Sequence, residues 1–192
     1  TASASENGAL LYRSASEDSQ LTWLDRQGRV VARLSEPALY TALSLSPDGS
    51  RAAVLRTNPQ ATSSLALWLL DVATGRGTRL TATGGAEAAV WSPDGRRTAF
   101  VSNTSGFETL LMQKPTDGSG QEELLIQTTD RLAPVSWSQD GGVLLYVVVD
   151  PKTNSDVWVL PLDGASKPAP FLRTEAAESQ AQFAPGRPGS PR

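Results

Sequence analysis

The sequence predicts an all-β protein: a β-propeller of about four blades, each a four-stranded antiparallel sheet. Three observations lead there: a 46-residue repeat, the same tight hairpin motif in each copy, and apolar residues that alternate at period two. Ser46-Pro47-Asp48-Gly49 recurs 46 residues on as Ser92-Pro93-Asp94-Gly95, and 46 further on as Ser138-Gln139-Asp140-Gly141. Another step reaches Ala184-Pro185-Gly186, and an eroded earlier copy reads Ser5-Glu6-Asn7-Gly8. A unit of this length with four strand signals buries its faces only by stacking on neighbouring copies, as propeller blades do.

Each repeat opens with a strand. Leu43 and Leu45, Ala89 and Trp91, Val135 and Trp137, Ala181 and Phe183 alternate with their neighbours, so one face of each strand is apolar. The motif that follows has the chemistry of a hairpin corner. Proline presets φ at the first central position, aspartate bonds local backbone, and glycine takes the left-handed position that closes the turn. A β-rich second strand comes next, with Val54, Phe100 and Tyr146 each five residues past the corner glycine. Third strands read 21–24, 65–72, 109–113 and 157–162, three of them with a tryptophan (Trp23, Trp68, Trp158), and end in polar turns. Fourth strands follow at 30–34, 78–81, 123–126 and 170–173, and no segment has a sustained helical period.

These signals divide residues 1–186 into a partial blade over 5–37, blades over 38–84, 85–129 and 130–176, and a last innermost strand over 178–185. Residues 187–192 read as a disordered tail, because repeated prolines prevent a normal strand. Two closures are open. The chain is an arc of a larger propeller, or the last strand pairs with the first three and closes a four-bladed ring. The absence of an initial methionine suggests a piece of something longer.

Composition narrows the function. With 17 Lys+Arg against 20 Asp+Glu the chain has no positive excess for a phosphate backbone, so no nucleic-acid partner is expected. Cysteine and histidine are both absent, which removes thiolate nucleophiles, disulfides, the usual general base and the commonest transition-metal ligand. No apolar run is long enough to span a bilayer, and no membrane contact by this segment is expected.

The polar motifs read as structure. Asp48, Asp94 and Asp140 fall one per blade at a turn, so they do not converge as a catalytic pair. Ser46, Ser92 and Ser138 have no histidine to activate them, and Lys114, Lys152 and Lys167 have no motif around them. Asp150, Asn154 and Asp156 offer hard oxygens, but their spacing is not that of a calcium loop. Asn103-Thr104-Ser105 reads as a turn, and Asp117-Gly118-Ser119-Gly120 lacks the lysine of a phosphate loop. No catalytic residue, metal or cofactor is expected.

The repeat of an aromatic residue, Ser-Pro-Asp-Gly, an apolar strand ending in Asp-x-x-x-Gly, and a closure such as Leu80-Thr81 resembles the TolB-type propeller repeat over residues 5–186. That repeat occurs in periplasmic TolB proteins and in the propellers of prolyl-oligopeptidase-like peptidases. Larger pieces resemble the carboxy-terminal propeller of bacterial, acidobacterial-type transmembrane serine/threonine protein kinases. They are Ser3 to Gly8, Leu21 to Arg26, Asp150 to Thr153, Asp156 to Leu162, and Ala181 to Phe183. The resemblance implies a periplasmic or extracytoplasmic sensor or interaction module. It does not extend to any kinase motif, and the motif aspartate is lost at Ala184-Pro185-Gly186.

A propeller binds a protein or a small ligand through the loops of one face and the mouth of its channel. The connections into each innermost strand are therefore the expected contact surface, with Glu36, Tyr40, Thr83, Glu87, Asp130, Arg131, Glu175 and Glu178 as candidate residues. The accessory propeller of a serine peptidase and a TolB-like periplasmic scaffold are the alternatives to a kinase sensor.

Overall fold

A computed structural model describes residues 2–4, 10–12, 19–34, 37–57, 65–81, 85–103 and 108–184. Among these residues sixteen strands form four sheets of four, all antiparallel, each in simple sequential order. Blade 1 holds β1 (Ala2–Ala4), β2 (Leu10–Tyr12), β3 (Thr22–Leu24) and β4 (Val30–Arg33). Blade 2 holds β5 (Tyr40–Leu45), β6 (Arg51–Thr57), β7 (Leu65–Asp71) and β8 (Gly77–Arg79). Blade 3 holds β9 (Ala86–Trp91), β10 (Arg97–Ser102), β11 (Thr109–Pro115) and β12 (Glu123–Thr128). Blade 4 holds β13 (Arg131–Trp137), β14 (Val143–Asp150), β15 (Asn154–Pro161) and β16 (Ala169–Leu172). This is the all-β propeller that the repeat requires.

The corners are built as their composition dictates, and identically. In blade 2 the Gly49 N–H donates to Ser46 O at 2.8 Å, and the Ser46 hydroxyl accepts the Arg51 N–H at 2.9 Å and donates to Asp48 Oδ1 at 2.6 Å. Ser92 with Asp94 and Ser138 with Asp140 repeat the arrangement. Gly49, Gly95 and Gly141 have φ of 72°, 68° and 76°, a region that a Cβ disfavours, and so glycine closes each turn.

The core lies between sheets as three slabs. Leu21 and Leu34 of blade 1 pack on Tyr40, Leu43, Leu45, Val54 and Leu70 of blade 2. Leu55, Leu67 and Leu69 pack on Trp91 and Phe100. Val101 and Leu111 pack on Leu144, Tyr146 and Leu160. Second strands therefore serve two slabs: Phe100 points back to blade 2, while Ala99 and Val101 point on to blade 4. Burial alone pushes the Tyr146 hydroxyl up to about 12.

The chain's ends differ from expectation. Blade 1 is a complete sheet, because Ala2–Ala4 pairs with Leu10–Tyr12 and supplies an innermost strand. Residues 178–184 form no strand. Glu178 is bonded to β15 and the Phe183 N–H to Ser136 Oγ of β13 at 3.1 Å, and Gln180 has a φ of 58°. The physical reason is that β1 already occupies the edge of β2 that a closing strand needs. Innermost strands β1, β5, β9 and β13 neighbour one another in chain order, and among the described residues no comparable contact returns from β13 to β1. The sheets form an arc and not a closed ring. The expected tail, 187–192, lies outside the described residues.

Candidate functional site

Chain direction sorts the connections into two ends. Each innermost strand runs from the inlet connection towards its corner, so corners and third-to-fourth-strand turns share one end and inlets share the other.

A cleft of about 750 Å³ lies at the corner end. Pro47, Ser92, Pro93, Asp94 and Arg97 form one side, Trp137, Gln139, Asp140 and Gly141 the other, and Phe183 and Ala184 line it too. The corners stand in a staircase: a Cβ on Gly95 would meet Pro47 Cδ at 3.7 Å, and one on Gly141 would meet Pro93 Cγ at 4.0 Å. Prolines and the Trp137 ring supply apolar wall, Ser92 and Gln139 polar wall, Asp94 and Asp140 negative charge and Arg97 positive charge.

Those carboxylates are held ionised. The Ser92 hydroxyl and then the Arg96 N–H keep Asp94 below the ordinary carboxylate range, and the Ser138 hydroxyl and then the Gly142 N–H do the same for Asp140. In each, one oxygen accepts both hydrogen bonds that hold the turn. Arg97 reaches Glu123 of its own sheet at 2.9 Å. The cleft can take a ligand with apolar surface and a donor or cationic group. Its carboxylates are low-pKa anions and unsuited to proton transfer near neutral pH.

The residues expected from the sequence lie at the inlet end. Glu36 and Thr83 fall outside the described residues. Tyr40 corrects the expectation: its side chain is 0% exposed and fills the slab between blades 1 and 2, because the strand begins one residue earlier than a loop reading assumes. Glu87 is exposed on β9, and Asp130 and Arg131 are exposed where the chain turns into β13. Glu175 is exposed too, but Glu178 is half-buried: its N–H donates to Ser155 O at 2.7 Å and its carboxylate accepts the Thr174 hydroxyl. Asp130 and Arg131 share one inlet connection, Glu175 and Glu178 share another, and Glu87 lies at the inlet of blade 3.

The Asp150, Asn154 and Asp156 loop is closed by its own cation. Arg173 bonds Asp150 at 2.7 Å and Asp156 at 3.2 Å, and Asp156 is buried. Among the described residues no group of three or more Asp or Glu could hold a metal, and no helix is long and apolar enough to cross a membrane.

Sequence reasoning missed the corner cleft because the motif residues were fully explained as turn makers. The signal available was topological: corners of successive blades must meet around one mouth, and Trp137 ends a strand beside it.

No family model matches the chain, and no curated protein matches its sequence. Solved structures do. TolB from Acinetobacter baumannii is 19% identical, over 91% of this chain and 43% of its own, with a TM-score of 0.70. A structure from a study of two prolyl endopeptidases is 18% identical over 88% of this chain and 28% of its own, with a TM-score of 0.66. An oligogalacturonate lyase in complex with manganese is 15% identical over 90% and 52%, with a TM-score of 0.65. The chain thus spans about half or less of the length of each. Identities this low establish a shared TolB-like propeller fold and nothing finer.

Proposed function

We propose that the chain is a non-catalytic recognition module, the sensor or protein-interaction propeller of an extracytoplasmic bacterial serine/threonine kinase. The observation that carries recognition over catalysis is the corner cleft: its lining mixes prolines and a tryptophan with polar side chains, and each of its two carboxylates is held ionised by the turn it sits on. The kinase assignment is supported by the resemblance of Asp156 to Leu162 and the other quoted segments. The ligand is a protein segment or small molecule with apolar surface and a cationic or donor group.

A second reading is supported by the likeness to the prolyl endopeptidase structure. There the propeller would accompany a separate hydrolase domain. The TolB likeness supports a third, a periplasmic scaffold. The complete reading frame separates them. An upstream kinase domain with a membrane span is the expected result, a downstream Gly-x-Ser-x-Gly domain would replace the first reading with the second, and neighbouring Tol-Pal genes would favour the third.

A further inference from the structure

The inlet end of the boundary between blades 1 and 2 holds a cluster that neither the corners nor the core explains. Along β6 and β7, Val54 pairs with Trp68 and Arg56 with Ala66, and across β7 and β8, Trp68 pairs with Arg79. Side chains alternate between sheet faces, so Val54, Arg56, Trp68 and Arg79 share one face. That face is the one turned to blade 1, since Val54 and Trp68 pack in the slab with Leu21 and Leu34. Arg56 also pairs with Tyr40, the first residue of β5, which puts the cluster at the opposite end of the strands from the corner cleft.

The Arg56 guanidinium lies 3.8 Å from the centroid of the Trp68 ring, and Arg79 stands opposite Trp68 on the next strand, on the same face. Three N–H donors here, Arg56 Nε, Trp68 Nε1 and Arg79 Nε, are shut away from solvent and have no acceptor. Among the described residues neither arginine makes an ion pair. A buried N–H without an acceptor has given up water without a replacement, and two like charges on one sheet face favour a shared counter-charge. What complements the cluster is a group with several acceptor oxygens and a negative charge. The guanidinium fork matches two oxygens of one such group, and stacking on the indole holds the fork in plane.

We propose that Arg56, Trp68 and Arg79 form an anion-binding site that takes the carboxylate, phosphate or sulfate group of a ligand entering at the inlet end between blades 1 and 2. The site is separate from the corner cleft and gives the module a second point of contact, of opposite charge preference.

The test is a titration of the full chain with acetate, inorganic phosphate and sulfate in turn, at constant ionic strength made up with chloride. The indole N–H signals of the five tryptophans are followed by NMR, with Trp68→Phe identifying the Trp68 signal. The expected result is a saturable movement of that signal with at least one of the anions, while the other indoles stay still. Arg56→Gln and Arg79→Gln should each raise the half-saturation concentration roughly tenfold or more, the loss of one charge-assisted contact. Arg29→Gln on exposed blade 1 surface should leave it unchanged. Which of acetate, phosphate and sulfate binds tightest identifies the group. Equal, unsaturating movement of all five indoles would overturn the proposal, as would saturable binding that survives both glutamine substitutions. Should a glutamine variant lose its dispersed spectrum, Arg56→Lys keeps the charge without the fork, and it must also weaken binding for the proposal to stand.

Discussion

The boundary between blades 2 and 3 and the boundary between blades 3 and 4 are built from the same repeat, yet one is latched at the corner end and the other gapes. At the first, Arg51 donates to Gly95 O and Thr116 O of the next blade, both at 2.9 Å, with its guanidinium 5.3 Å from the Trp91 ring centre. The Trp91 indole donates back to Ser44 O at 3.1 Å. At the second, Arg97 holds the equivalent position but turns to Glu123 in its own sheet. The corner carbonyls differ in partners: Gly95 O accepts both Arg51 and the Thr116 hydroxyl of its own blade, the latter at 2.8 Å, whereas Gly141 O accepts the Trp137 indole at 3.0 Å. With Arg97 turned to its own sheet, the candidate cleft lies at this boundary. The candidate cleft is thus a place where equivalent arginines of the repeat take different partners.

The largest contrast expected is between the two tryptophans. Trp91 is 7% exposed and packs in the slab with Leu55, Leu69 and Phe100. Trp91→Ala should cost about 3–5 kcal/mol. Trp137 is only half-buried at the cleft, and Trp137→Ala should cost roughly 2 kcal/mol, in proportion to the smaller area it removes from water. Urea unfolding midpoints measure both, and equal losses would break the comparison.

A smaller contrast separates the two arginines. Arg51→Gln strips charged donors from two carbonyls across the boundary and should cost about 2 kcal/mol. Arg97→Gln removes an ion pair whose side chains are 40% and 52% exposed, and should change stability by less than about 0.5 kcal/mol. A large loss from Arg97→Gln in the same denaturation series would mean that the second boundary is latched after all.

The corners were legible in the sequence because their chemistry is local: serine, aspartate and glycine act within five residues of one another, and turn rules operate on that scale. The doubly buried second strands were legible for the same reason, as unbroken apolar runs such as Val143 to Val149. The latch was not. Arg51 and Arg97 occupy the same place after the same motif, yet Arg51 meets carbonyls 44 and 65 positions away and Arg97 a carboxylate 26 positions away. Likewise Tyr40 looks like a loop tip until the packing of blade 1 turns it inward, and residues 178–184 look like a strand until β1 is found on the edge they would need. The Arg56, Trp68 and Arg79 cluster is a matter of cross-strand register over three strands, which no spacing within one segment reveals.

The smallest effect expected concerns acid. Asp48, Asp94 and Asp140 are all held below the ordinary carboxylate range, each first by the serine two residues before it. An aspartate that ionises more readily when folded binds fewer protons in the native state than in the unfolded chain. Its contribution is therefore complete above the unfolded value of about 3.9 and is lost as pH falls through the lower native value. Asp48 has two helpers that Asp140 lacks, the Ser50 hydroxyl and the nearby Arg51 charge. Because Arg51 is committed to the latch, its charge stays beside Asp48, and the blade 2 corner should resist acid to a lower pH than the blade 4 corner. Urea midpoints measured from about pH 5 down to about pH 2 test this. Asp48→Asn should flatten the acid limb of stability more than Asp140→Asn, and the reverse order would show that the latch does nothing for the corner it grows from.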